Sequence, residues 1–124
     1  MRAQYKGHRV VETKAGTFAL DTWKPRDPTD FSITIDFYAG PEGDASADAF
    51  TATVCSPNYF LRSQSGNVFS GDSVIFMLRF DYAELEKFLI DRCAATEGDT
   101  WDAIAAQLTR LGRWEFDYHL QISN

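Results

Sequence analysis

Phe31-Ser32-Ile33-Thr34-Ile35-Asp36-Phe37-Tyr38 is the stretch on which the fold of this chain turns. Apolar and polar residues alternate along it without a break, and a strand points successive side chains to opposite faces. Phe31, Ile33, Ile35 and Phe37 therefore share a core side, and Ser32, Thr34, Asp36 and Tyr38 share the other. Gly40-Pro41-Glu42-Gly43-Asp44 follows as turn chemistry. Asp48 to Ser56 alternates again, with Phe50, Ala52 and Val54 on the core side. Two such runs joined by an acidic connection predict an antiparallel pair.

Toward the N-terminus, Gly16 to Trp23 alternates weakly and Tyr5 to Thr13 forms a further candidate strand. Pro25 and Pro28 make Lys24 to Asp30 a loop, since proline lacks an amide donor and holds φ fixed.

Toward the C-terminus, Ser56 caps a short helical turn with Pro57 at its first position, running to Leu61. Residues 63–67 are a loop. Ser73 to Phe80 is apolar on both parities up to Leu78, which predicts a central strand covered, at least partly, on both faces. Asp81 and Glu84 open a helix in the manner of a capping box, and Leu85, Phe88 and Leu89 form its apolar stripe. Glu97-Gly98 ends it. Asp99 or Thr100 caps the next helix, in which Trp101, Ile104, Ala105, Leu108 and Leu111 share a face, and Gly112 stops it. Arg113 to Ile122 alternates as a last strand, with Trp114, Phe116, Tyr118, Leu120 and Ile122 inward. Glu115, Asp117, His119 and Gln121 point outward.

Strands first and helices late predict an α+β domain with a mainly antiparallel sheet and two amphipathic helices packed on one face. At 124 residues the chain makes one domain. The uncovered face is expected to carry Thr34, Asp36, Tyr38, Thr51, Thr53, Cys55, Ile75, Met77, Arg79, Glu115, Asp117 and His119. Polar groups around a few apolar side chains suit a protein interface.

Composition narrows the function. The formal charge of -6 argues against a nucleic-acid-binding surface. From Asp27 to Leu61 there are six acids, Asp27, Asp30, Asp36, Glu42, Asp44 and Asp48, and no lysine or arginine. Such a stretch is either a solvated face or a docking patch for a basic partner. No apolar run is long enough to cross a bilayer and no signal-peptide core follows Met1, so the cytoplasm is the expected compartment. Cys55 and Cys93 stand 38 residues apart and read as free, buried thiols. His8 and His119 are isolated, and no metal-binding or cofactor-binding spacing is present. Nothing local recommends Cys55 and His119 as a catalytic pair.

Several segments resemble the immunity protein 8 family of bacterial polymorphic-toxin systems. They are Pro25-Arg26-Asp27-Pro28-Thr29-Asp30-Phe31, Gly40-Pro41-Glu42-Gly43, Asp48 to Pro57 with Leu61 after it, Asp81-Tyr82, Asp99-Thr100-Trp101, and Trp114-Glu115-Phe116-Asp117-Tyr118. Their order and spacing run from about Leu20 to Tyr118. The resemblance implies an intracellular protein that binds and neutralises a cognate toxin domain and has no catalytic residues. It implies structural roles for Trp114, Phe116, Pro57, Asp81, Gly40 and Gly43.

Joined to the charge pattern, it makes Asp36, Tyr38, Glu42, Asp44, Asp48, Glu115 and Asp117 the expected partner-binding residues, facing a basic, nuclease-type toxin. An adaptor module that self-associates and a small-molecule enzyme with an unrecognised cleft are the alternatives.

Overall fold

The computed structural model describes residues 1–9, 11–13, 15–64 and 66–117. Among the described residues ten elements follow one another: β1 (Ala3–His8), β2 (Val11–Thr13), β3 (Gly16–Phe18), β4 (Ser32–Pro41), β5 (Asp48–Cys55), α1 (Pro57–Ser63), β6 (Val74–Phe76), α2 (Tyr82–Ala94), α3 (Trp101–Leu108) and β7 (Arg113–Trp114).

The strands form one sheet around the antiparallel pair β4–β5, whose register runs from Ser32 opposite Cys55 to Ala39 opposite Asp48. β1 and β2 both line the outer edge of β4, and β3 extends β2 as a hairpin. On the outer edge of β5, β7 pairs with one half and β6 with the other; β5–β6 is the parallel pairing in an otherwise antiparallel sheet.

The alternation in β4 and β5 puts Ile33, Ile35, Phe37, Phe50, Ala52 and Val54 on one face, where each is at most 1% exposed. Leu85, Leu89 and Cys93 of α2 and Ile104, Ala105 and Leu108 of α3 complete this core. Phe37 and Phe50, opposite each other in the register, stack with ring centroids 5.3 Å apart. Asp81 and Thr100 cap the two helices by accepting from Glu84 N and Ala103 N.

Three expectations are corrected. Residues 73–80 form no central strand: β6 has three residues and lies at the sheet edge. Its pairing with β5 sets Ile75 beside Val54 on the core side and Phe76 beside Cys55, so the expected face of Ile75 is inverted. Second, the face away from α2 and α3 is not wholly open. Phe60 of α1 packs edge-on against Phe76, 5.5 Å between centroids, and Cys55 lies buried beneath. Ser56 holds this corner, its buried hydroxyl accepting from both Phe31 N and Tyr59 N. Third, among the described residues the last strand covers Arg113–Trp114, and residues 115 and 116 form a turn. Phe116, expected inward, is 36% exposed. The expected positions of Tyr118, His119, Leu120, Gln121 and Ile122 lie outside the described residues.

The N-terminus is laced to the α2–α3 connection. Ala3 N donates to Thr96 O, Gly98 N donates to Met1 O, and Arg2 pairs with Glu97 at 2.7 Å.

Candidate functional site

The open face is best developed at the end of the sheet where β1, β4, β5 and β7 meet. Asp36 and Tyr38 leave β4 on this side, as their alternation requires. Across the pair, Asp36 faces Thr51, whose hydroxyl donates to Asp36 Oδ1 at 2.6 Å, and Tyr38 faces Ala49. Beyond β5 the same rows continue into Arg113, opposite Thr51, and Glu115. Glu115 is fixed at both ends: its amide donates to Ala49 O at 3.0 Å, and its Oε1 accepts from Ala49 N at 2.8 Å. Three of the expected contact residues, Asp36, Tyr38 and Glu115, are thus brought together.

Sequence reasoning missed the bases that share this corner. The guanidinium of Arg9 lies 5.5 Å from the centre of the Tyr38 ring, within range of a cation–π contact. Arg9 N donates to Asp36 O. The Lys6 ammonium donates to the carbonyl of Asp44. Lys6 arrives on β1 and Arg9 directly after it, and no local pattern announces the pairing of β1 with β4. The corner is a mixed-charge surface around one tyrosine.

The remaining expected residues are placed differently. Glu42 and Asp44 lie in the turn after β4, closed by Asp44 N donating to Pro41 O. The Asp44 carboxyl accepts from the Ser46 amide, which holds it below the usual carboxylate range. Asp117 is half-buried, two residues past Glu115. Asp48 points to the other side: its Oδ2 accepts from both indole N–H groups, Trp101 at 2.7 Å and Trp114 at 2.9 Å. It fastens α3 and β7 to β5. The signal for this was present in the sequence, since Asp48 shares the parity of Phe50, Ala52 and Val54.

The acidic stretch is therefore not one patch. Asp30 pairs with Arg62 at 3.0 Å, and Asp27 accepts from Thr29 N and Oγ1, which lowers its pKa. Both lie before β4, about 30 Å of strand away from Glu42. Charge counted along the chain ignores the length and the two faces of the strand that carries it.

The covered side holds a polar cluster that sequence reasoning also missed. A bulge in β1, with Gly7 at φ 112°, brings Tyr5 and His8 to the same side of the strand. Tyr5 Oη and His8 Nδ1 lie 2.9 Å apart, and Tyr82 Oη donates to Glu86 Oε2 at 2.7 Å. His8 Nδ1 stands 3.8 Å from the same carboxylate oxygen. Burial is the main force raising the Tyr5 and Tyr82 hydroxyls, Tyr82 to about 12. The cluster joins β1 to α2. Among the described residues, no group of three histidines, cysteines or acids is arranged to hold a metal ion, and no helix is long and apolar enough to cross a membrane.

The fold and this surface belong to an α+β protein with a solvent-facing sheet corner. A family model described as Immunity protein 8 matches residues 9–119, and the chain belongs to that family. Membership implies an immunity protein directed against a toxin. No curated protein and no solved structure matches the chain.

Proposed function

We propose that this protein neutralises a cognate toxin domain by covering it with the sheet corner around Tyr38, and does so in the cytoplasm without chemistry of its own. The observation that carries the reading is the grouping of Tyr38, Asp36 and Glu115 on the uncovered face. A half-buried tyrosine beside the Arg9 guanidinium, with acids and bases around it, suits an anchor with a polar rim. Glu42 and Asp44 flank the corner from the adjoining turn, and the half-buried Asp117 follows Glu115. Asp48 supports the surface from behind through its two indole bonds.

The overall charge of -6 suits a toxin with a basic cleft, such as an enzyme that holds a polyanionic substrate. Opposite charges raise association from about 10⁵–10⁶ M⁻¹s⁻¹ toward about 10⁸–10⁹ M⁻¹s⁻¹ at low salt.

The test is association with a toxin domain against which expression of this chain protects bacterial cells. Asp36→Asn, Glu42→Gln and Asp44→Asn together remove three charges while leaving the hydrogen-bond acceptors in place. The expected result is slower association and a flatter dependence on ionic strength in stopped-flow measurements at two salt concentrations. Rates identical to those of the unaltered protein at both salts would sink the reading.

A further inference from the structure

The apolar run Val74-Ile75-Phe76-Met77-Leu78 is only partly used by the core. Ile75 is 7% exposed, but Phe76 is 49% and Leu78 81% exposed. β6 pairs with β5 alone, and among the described residues no strand lies on its outer side. Ser73 O accepts from Thr53 N, and Met77 N donates to Cys55 O. Alternate residues of a parallel strand turn their backbone groups to opposite sides, so the amides and carbonyls of Val74 and Phe76 point away from β5. The segment has neither the proline nor the lysine that commonly guards an edge.

A groove of about 560 Å³ lies along this strand, with Ile75, Leu85 and Leu111 as its buried lining and Leu78 and Phe88 toward solvent. Arg79, Arg92 and Arg110 also line it, against the single acid Glu84. Arg92 lies over the Phe88 ring at 5.5 Å. Among the described residues, the ion pairs use Arg2, His8, Arg62 and Lys87, so no carboxylate within 4.0 Å neutralises these three. In a protein of charge -6, this is a local reversal of sign.

We propose that the groove is a second docking site, which takes an extended segment of the toxin polypeptide, with apolar and acidic side chains on the same face, as an added strand on β6. The inference rests on the reading that the partner is a toxin. Main-chain bonds to Val74 and Phe76 supply the attachment, and every second side chain of the added strand enters the groove, where apolar ones meet Ile75 and Leu111 and carboxylates meet the arginines. A second copy of this chain is the poorer occupant, because it would set three arginines against three.

The experiment mixes the full chain with the same toxin domain. Hydrogen exchange is followed at Val74 and Phe76, and affinity is measured for Arg92→Glu/Arg110→Glu and for Leu78→Asp. Both variants alter exposed side chains, and unchanged melting confirms that they fold. The expected result is exchange slowed at least tenfold at both amides in the complex and affinity reduced at least tenfold in both variants. A complex in which those amides exchange as in the free protein, with affinities within twofold, overturns this inference and leaves the toxin reading standing. No complex with the unaltered protein overturns both. Protection that appears without toxin, together with a dimer in light scattering, assigns the groove to a second copy and also overturns it.

Discussion

Phe37 and Tyr38 are neighbours in sequence, yet they belong to different halves of the molecule. Phe37 is fully buried and stacked on Phe50 beneath α2 and α3. Tyr38 leaves the same strand on the other side and meets the guanidinium of Arg9 and solvent. Two acids from the same stretch divide in the same way. Asp48 is held by two indoles on the covered side, and Asp36 bonds one threonine on the open side. Stability and recognition are thus separated by the parity of a strand, and one face can be altered while the other keeps the fold.

Substitutions of these pairs break or sharpen that contrast. Phe37→Ala is expected to have the largest effect, about 3–5 kcal/mol of stability, because it removes a fully buried ring and leaves a cavity. Chemical denaturation gives the value, and a loss under about 1 kcal/mol would mean the core can close over the gap. Asp48→Ala should cost about 2–3 kcal/mol, since it strands two indole donors that share a charged acceptor; a melting point equal to that of the parent would remove Asp48 from the covered half.

Burial raises the Cys93 thiol to about 11 from its ordinary 9.0. The folded state keeps that proton where the unfolded chain has begun to lose it. Stability from this source is therefore whole below about pH 9 and is lost as pH rises to about 11, by roughly 2 kcal/mol in total. Cys93→Val should flatten the alkaline limb of a stability–pH curve, and an equally steep limb would contradict the cause. Smallest of all, Tyr38→Ala and Asp36→Asn should each change stability by less than about 1 kcal/mol. A larger loss in thermal melts would show that the open face also carries the fold.

The parts of the fold legible in the sequence are those governed by short-range periodicity. β4, β5 and the capped starts of α1, α2 and α3 follow from alternation, helical spacing and the residues Ser56, Asp81 and Thr100. Sheet order does not follow from such patterns. The apolar run at 74–78 suits a central strand, but β7 occupies the other half of the β5 edge and leaves β6 room for three residues. Of the candidate surface, the outward positions of Asp36 and Tyr38 were readable from parity. The arrival of Lys6 and Arg9 from some 30 residues away was not, because pairing between distant segments leaves no local signature. The acidic run misled for the complementary reason: adjacency in a sequence is not adjacency on a twisted sheet.

The lacing of residues 1–3 to residues 96–98 constrains how the protein comes to exist. A nascent chain emerges from its N-terminus, so the first strand appears long before the connection that holds it. At about 5–20 residues per second, the wait is on the order of 5–20 s. Over that interval residues 1–3 can already meet β4 and the turn after it, through the Ala3–Pro41 pairing and Glu42 N donating to Arg2 O, but lack their partners at 96–98. Completion of this protein is therefore a late event in its own synthesis.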